Sequence, residues 1–283
     1  MPALLAAQLT LVSLLLGPVG VYEVRAGVLL LATAGLLATR LATSAGLWLA
    51  LAALAALRVA LDWPLSDNHA YLLAYWCLTL GLAFAAGAPE DPGAAARLAL
   101  TARLLVGVVF ALATAQKLLA PDYTDGTFFR YSLAVDGRFE SLGVLLGRGH
   151  EELERTRAFL DAAPWGPPPP GAAFEETSAL RAAAGLLTAA TLVLEGAVAL
   201  AFLLPAGWLP AALRDGVLLA FCAGTYAVAP VAGFGWLLLA MGVAQADAGR
   251  ARTRALYLAA FALILLFREL PWLDLFAARA PHG

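Results

Sequence analysis

Charged residues are scarce in this chain, and lysine is the scarcest. Only 13% of the 283 residues are charged, whereas a soluble domain is typically about a quarter charged. The hydrophobic class makes up 62% of the residues, and the mean hydropathy is +0.81. This composition excludes an ordinary soluble enzyme and a disordered chain. The net charge of -2, with no cluster of basic residues, gives no electrostatic footprint for nucleic acid.

Signatures of metal, nucleotide and hydrolase sites are also missing. The chain has none of the patterns HExxH, GxSxG, GxxxxGK or GxGxxG, which removes the commonest zinc, serine-hydrolase and nucleotide hypotheses. Its two cysteines, Cys77 and Cys222, lie far apart in apolar runs and form no CxxC pair. We interpret both as packing residues, and no metal site is predicted.

Long apolar runs are abundant, and they predict an all-α, polytopic integral membrane protein with eight or nine transmembrane helices. A membrane helix needs about 20 mostly apolar residues. The candidate spans are 3–20, 26–43, 45–61, 69–87, 99–117, 183–204, 212–230, 232–246 and 254–272. The count stays open because residues 26–61 could form two short helices that meet near Ser44 or one long tilted helix. The first run lacks a basic start and a cleavage site, so we expect a true span rather than a signal peptide.

Residues 118–178 interrupt this pattern with one long excursion. They hold 15 charged residues in 61, against 23 in the other 222, so we expect them to contact water. Their first part mixes aromatic and charged residues, as in an interfacial helix. A short surface helix and a Pro-rich connector follow. Three regions result: N-terminal transmembrane helices over 1–117, the interfacial segment over 118–178, and C-terminal transmembrane helices over 179–283. The distribution of arginine favours a cytoplasmic N-terminus and an extracytoplasmic excursion.

Lys117 is the only lysine among 18 basic residues. Arginine stays charged in proteins, whereas a lysine amine in an apolar site can lose its proton and act as a base. Lys117 ends an apolar span, so it is compatible either with a desolvated catalytic amine or with an ammonium that reaches the headgroups. His69 opens the preceding span, and consecutive spans run in opposite directions. The two residues therefore share a membrane face, and they could line one pocket for proton transfer; alternatively, His69 is an interfacial or capping residue.

These residues carry a resemblance to a known family. The segments that carry it are Asn68-His69-Ala70-Tyr71-Leu72 at a span start, Gln116-Lys117-Leu118 after one hairpin, and then Asp122-Tyr123 and Asp125-Gly126. They resemble the membrane core of vitamin K-dependent gamma-glutamyl carboxylase and the related bacterial HTTM (horizontally transferred transmembrane) proteins. The match covers roughly residues 60–130. The large lumenal domain of the animal enzyme has no counterpart here.

The resemblance implies a role for each matching residue. Lys117 would be the base that deprotonates a reduced quinone of the vitamin K or menaquinone type, and His69 would be functionally required. Reduced quinone would be the cofactor, and a small molecule or peptide would be the further substrate. The lipid bilayer, specifically a bacterial inner membrane, would be the location. Because the peptide platform is missing, the resemblance supports quinol-and-base chemistry better than carboxylation of a protein.

Other polar residues extend the candidate pocket to Asn68, Tyr71, Asp122, Asp125, Glu195 and Tyr226. Glu195 lies in the middle of an apolar run, where a carboxylate facing lipid is costly. It could hold a substrate, relay a proton, or pair with Arg103 or Arg58. Tyr226 could offer a hydroxyl to a quinone carbonyl, and the aromatic residues near Asp125 could cover its ring.

Three functional classes stay open on the sequence alone. The leading expectation is a quinol-linked oxidoreductase or carboxylase-like enzyme. The alternatives are a non-catalytic transporter or membrane partner, in which Glu195 and the Pro/Gly break near Gly233 would matter more than Lys117, and a quinone-associated accessory subunit of the DoxX type.

Overall fold

The computed structural model describes residues 2–17, 20–148, 150–162, 177–205, 207–229, 231–246 and 249–270. The regular elements within these ranges are helical. In chain order they are α1 (Pro2–Leu16), α2 (Tyr22–Leu37), α3 (Thr39–Ala42), α4 (Ala45–Leu61), α5 (Asn68–Ala86), α6 (Pro92–Leu119), α7 (Pro121–Thr124), α8 (Thr127–Val135), a 3-10 turn (Gly137–Phe139), α9 (Glu140–Leu145), α10 (His150–Ala162), α11 (Ser178–Leu203), α12 (Ala211–Val228), α13 (Ala232–Gln245) and α14 (Ala251–Glu269).

Four of the helices are long and apolar enough to cross a membrane, by length and composition: α5, α6, α11 and α12. This finding fits the predicted all-α membrane protein, while the count of eight or nine spans stays a prediction. Shorter apolar helices occupy Pro2–Leu16, Ala45–Leu61 and Gly233–Gln245. Residues 26–61 form separate helices that are broken at Thr43 and Ser44, so the single long helix is excluded.

The bundle has two ends, and side-chain contacts identify them. At the first, which we name the Lys117 end, the start of α5 meets the end of α6 through Asn68 Nδ2, which donates to Gln116 Oε1 over 3.0 Å. The end of α14 meets the end of α1 there, since Arg268 Nη1 donates to the Leu16 carbonyl over 2.7 Å. At the opposite end, Arg103 Nε on α6 donates to the carbonyl of Phe202 at the end of α11 over 2.9 Å.

α13 lies at the centre of the bundle. Its residues from Trp236 to Ala244 are buried on every face, as expected for a helix that is apolar all round. Tryptophan side chains connect the core through single hydrogen bonds: Trp236 Nε1 donates to the Phe261 carbonyl over 3.1 Å, and Trp76 Nε1 donates to Thr10 Oγ1 over 2.9 Å. The core is therefore apolar with a few satisfied polar groups.

α6 and α11 pack antiparallel and closely, and this pair positions the candidate site. Asp91 caps the start of α6 by accepting from the backbone N–H groups of Gly93 and Ala94, and the following proline suits the first helical turn. A Cβ added at Gly107 on α6 would lie 2.7 Å from the Leu203 side chain on α11. Only glycine fits this approach without a shift of Leu203.

The charged excursion forms short helices at the Lys117 end. α7 to α9 build a small apolar cluster with the start of α11, made of Tyr123, Phe129, Leu133, Phe139, Leu180 and Ala184. Arg157 on α10 ties the segment together, because its guanidinium lies 2.6 Å from Glu140 and donates to the Val135 carbonyl over 2.9 Å. The surface helix predicted here is α10. The Pro-rich connector lies outside the described residues.

Candidate functional site

Lys117 and Glu195 form an ion pair between α6 and α11. Lys117 Nζ donates to both carboxylate oxygens, over 2.7 Å to Oε1 and 2.6 Å to Oε2. The Glu195 side chain is 10% exposed and that of Lys117 is 24% exposed. The only lysine of the chain therefore contacts a nearly buried acid inside an apolar span, and the lysine side chain itself is partly exposed.

The neighbours of Glu195 on α11 explain why its carboxylate faces inward. Val193 and Leu200 are exposed on the outer face of this helix, and Glu195 lies on the opposite face, next to α6. The N-terminal tilt of helical side chains brings the Lys117 amine down onto the same level. A carboxylate turned toward lipid would be costly, so pairing across the helix interface removes the unfavourable arrangement.

The predicted arginine partners of Glu195 are wrong. Arg103 is 14 residues before Lys117 on the same helix, about 21 Å away along the axis, and it donates to main-chain carbonyls at the end of α11. Arg58 lies 3.3 Å from Asp62. Arg103 and Arg58 therefore each bind another group, and the partner of Glu195 is Lys117 instead.

Tyr123 covers the ion pair from the interfacial segment. The Lys117 Nζ atom lies 5.5 Å from the centroid of its ring, which is within the range of a cation–π contact. Burial raises the pKa of the Tyr123 phenol to about 12, so the ring stays neutral. Phe128 and Phe129 pack on this ring at centroid distances of 5.1 and 5.6 Å. The aromatic residues thus lie where a lid was predicted.

Three buried hydroxyls lie on the helices around this pair. The oxygens of Thr114 on α6, Thr188 on α11 and Tyr226 on α12 are buried and have no hydrogen-bond partner among the described residues. Thr114 is one turn from Lys117, and Tyr226 interacts electrostatically with Glu195. A buried polar atom without a partner is costly. The hydroxyls are therefore suited to bind a polar molecule.

His69 lies in a different environment. Its Nε2 atom is 3.7 Å from Asp67 Oδ2, and its ring lies 6.3 Å from that of Phe234. It lines a cavity of about 430 Å³, and Lys117 is not among the residues that line this cavity. The helix ends of α5 and α6 are adjacent, as predicted, but His69 and Lys117 each contact a different acid.

The remaining predicted residues are spread around the Lys117 end. Asn68 contacts Gln116, next to Lys117. Tyr71 is half-buried. Asp122 and Asp125 are exposed, unlike the nearly buried Glu195. Asp125 accepts from the backbone N–H of Thr127 over 2.8 Å, and bonds from Thr127 hold its pKa below the usual value.

A second buried polar cluster, which sequence reasoning missed, lies at the opposite end. Asp215 on α12 lies 2.6 Å from Arg250 Nη2 and accepts from Tyr257 Oη over 2.8 Å. Gln245 also donates to it. The sequence contained one signal for this cluster, because Asp215 follows Arg214 at the start of an apolar run. Within the described residues, no group of three His, Cys, Asp or Glu side chains could hold a metal ion.

The fold and the site together define a class: an all-helical chain whose membrane-length apolar helices enclose a lysine–glutamate ion pair. No family model, curated protein or solved structure matches the chain.

Proposed function

We propose that this chain is a quinol-linked membrane enzyme of the HTTM and vitamin K-dependent carboxylase type, with Lys117 as the base. The nine apolar helices α1, α2, α4, α5, α6, α11, α12, α13 and α14 would be its spans. Each coincides with one apolar run of the sequence, and contacts at two opposite ends of the bundle support this number. The resemblance to bacterial HTTM proteins supports a bacterial inner membrane as the location.

The observation that carries the proposal is the contact of Lys117 with both oxygens of Glu195. Transfer of one proton from the amine to the carboxylate leaves two neutral groups, which an apolar environment favours over separated charges. The neutral amine then has a lone pair to accept a substrate proton. Glu195 would hold the first proton on a carboxylate oxygen, and the substrate would approach along the partly exposed Lys117 side chain.

Buried hydroxyls on the helices around the pair support a reduced quinone as the ligand. Those of Thr114, Thr188 and Tyr226 have no hydrogen-bond partner among the described residues and would bind the oxygens of the quinone. Tyr123 would cover the site. A bound reduced quinone supplies an acidic hydroxyl and two electrons. The protein would orient this hydroxyl toward the Lys117 amine, which accepts its proton, while Glu195 keeps the proton that it took from the ammonium. His69, predicted from the resemblance to be required, would act from its own cavity rather than by contact with Lys117.

Epoxide formation by purified protein tests the proposal. The protein would be incubated with reduced menaquinone and oxygen, and the quinone epoxide quantified by mass spectrometry. We expect Lys117→Arg to keep the ion pair but lower the rate at least ~100-fold, because general bases contribute factors of 10² or more and arginine stays protonated. The control is Arg97→Lys, an exposed site at the opposite end, which should retain the parental rate. Equal rates for Lys117→Arg and the parent would overturn the base assignment.

A second candidate is a proton-coupled transporter, which is favoured by the two buried acids, Glu195 and Asp215, on adjacent helices α11 and α12. In a transporter, residue 117 would only need to carry a positive charge beside Glu195, and arginine can replace lysine in that role. Proton uptake into proteoliposomes would then survive Lys117→Arg and be lost in Glu195→Gln. The enzyme proposal predicts no proton uptake in the parent protein.

A further inference from the structure

The cavity that contains His69 lies where five helix ends meet at the Lys117 end. It has a volume of about 430 Å³, within the range of small-molecule sites. The lining comes from the ends of α1, α4 and α14, the starts of α5 and α13, and the 3-10 turn of the interfacial segment. The cavity therefore lies among helix ends at the Lys117 end of the bundle, next to the interfacial segment.

Arginine is the most frequent charged residue in the lining of this cavity. Its lining includes three arginines, Arg58, Arg138 and Arg268, against one acid, Asp67. Each arginine is held in place by an acid outside the lining: Asp62 for Arg58, Asp136 for Arg138 and Glu269 for Arg268. Guanidiniums that are fixed in this way lose little conformational freedom when they bind an anion.

The donors of two arginines are only partly used. Arg138 directs Nε and Nη2 toward Asp136, and Arg268 directs Nη1 to the Leu16 carbonyl and Nε toward Glu269. Since a guanidinium has five N–H donors, donors of both groups stay available to a ligand. Phosphate oxygens match this donor geometry, because they accept paired charge-assisted bonds from guanidinium groups.

The lining also contains Ser13 and His69 and an apolar wall that includes Leu14, Leu73, Phe234 and Leu237. A free inorganic anion makes no apolar contacts with these side chains. The glycerol and the first acyl carbons of a lipid would pack against them. Basic pockets between transmembrane helices bind anionic headgroups for the same reason.

We propose that this cavity binds the phosphate of an anionic phospholipid, with Arg138 and Arg268 as its ligands and the apolar wall against its acyl chain. The proposal does not depend on the chemistry at Lys117. It assigns the arginine cavity as a lipid site that holds the interfacial segment, through Arg138, against the ends of α1, α13 and α14.

Direct binding measurements test the site. Protein in a neutral detergent would be titrated with short-chain phosphatidylglycerol, phosphatidylcholine and inorganic phosphate, by native mass spectrometry for the lipids and by calorimetry for phosphate. We expect phosphatidylglycerol to bind at least ~10-fold more tightly than the other two. Arg138→Gln and Arg268→Gln should each weaken it ~10-fold or more, while Arg97→Gln, an exposed arginine at the other end, should leave it unchanged.

A second variant separates binding from folding. A Cβ at Gly233, which lines the cavity, meets no atom within 4 Å, so Gly233→Leu should fill the cavity without removing a charge. Loss of phosphatidylglycerol binding with unchanged helical content supports the site. If inorganic phosphate binds as tightly as the lipid and its binding still requires Arg138, the cavity is an anion site, and the proposed contact with an acyl chain is wrong. If Arg138→Gln, Arg268→Gln and Gly233→Leu all bind like the parent, the proposal is overturned.

Discussion

Replacing Lys117 with methionine should destabilise the protein more than removing its partner. The change leaves Glu195, 10% exposed, inside the bundle without the amine that contacts both its oxygens. Breaking a buried ion pair by removing one partner costs about 3–5 kcal/mol. Because the lysine side is partly open, we expect a loss near the lower limit, about 3 kcal/mol.

Removing the acid should cost less. In Glu195→Leu the amine is close to the end of α6 and a quarter exposed, so its flexible stem can carry the charge toward the interface. We expect about 1–2 kcal/mol. The double variant Lys117→Met/Glu195→Leu should lie within about 1 kcal/mol of the parent, because well-packed apolar pairs replace buried ion pairs at little cost.

Unfolding by sodium dodecyl sulfate in mixed micelles, followed by far-ultraviolet circular dichroism, measures all four proteins under one condition. The expected coupling energy between the two positions is about 3–5 kcal/mol. Additive single effects, with a coupling below about 0.5 kcal/mol, would refute the ion pair as a stabilising contact.

Two further predictions concern packing and pH. Gly242→Ala should cost about 1–3 kcal/mol, since its Cβ would overlap the buried Tyr257 ring, whereas Gly224→Ala has open space and should be neutral or up to about 1 kcal/mol stabilising; equal effects in the same detergent titration would contradict this. Burial disfavours the Asp136 carboxylate, but bonds from Arg138 outweigh burial and hold its pKa below the usual value, so its stabilising effect is complete above about pH 3.9 and disappears as the pH falls below it. The protection factors of the amides in residues 137–145, which are corrected for the slower intrinsic exchange at low pH, should therefore fall on acidification in the parent and change less in Asp136→Asn; identical profiles would refute the argument.

Hydropathy alone predicted the positions of the apolar helices, because each run must bury its backbone in helical hydrogen bonds. The break at Ser44 could be foreseen as one of two alternatives. The adjacency of Asn68 and Gln116 followed from the alternating direction of consecutive spans. These features depend on local sequence and on chain direction, which a single sequence contains.

The partner of Glu195 could not be derived in the same way. The pair joins residues 78 positions apart, and its formation depends on how α6 and α11 are rotated about their axes. Arg103 and Arg58 were considered as partners because of their residue type, although the position of Arg103 near the other end of α6 already argued against its contact with the neighbours of Lys117. The arginine cavity needs five helix ends and a turn of the excursion to meet, and no periodicity in the chain encodes that meeting.

The contact between Lys117 and Glu195 can be measured without ambiguity on the amine side, because the chain has one lysine. Solid-state nuclear magnetic resonance on protein in lipid bilayers, labelled with ¹⁵N-lysine and ¹³C-glutamate, reports the distance from the side-chain nitrogen to the nearest glutamate carboxyl carbon. We expect strong dipolar dephasing that corresponds to less than about 4 Å, and its loss in Glu195→Gln. A lysine signal that no glutamate carbon dephases would contradict the ion pair and the base mechanism built on it.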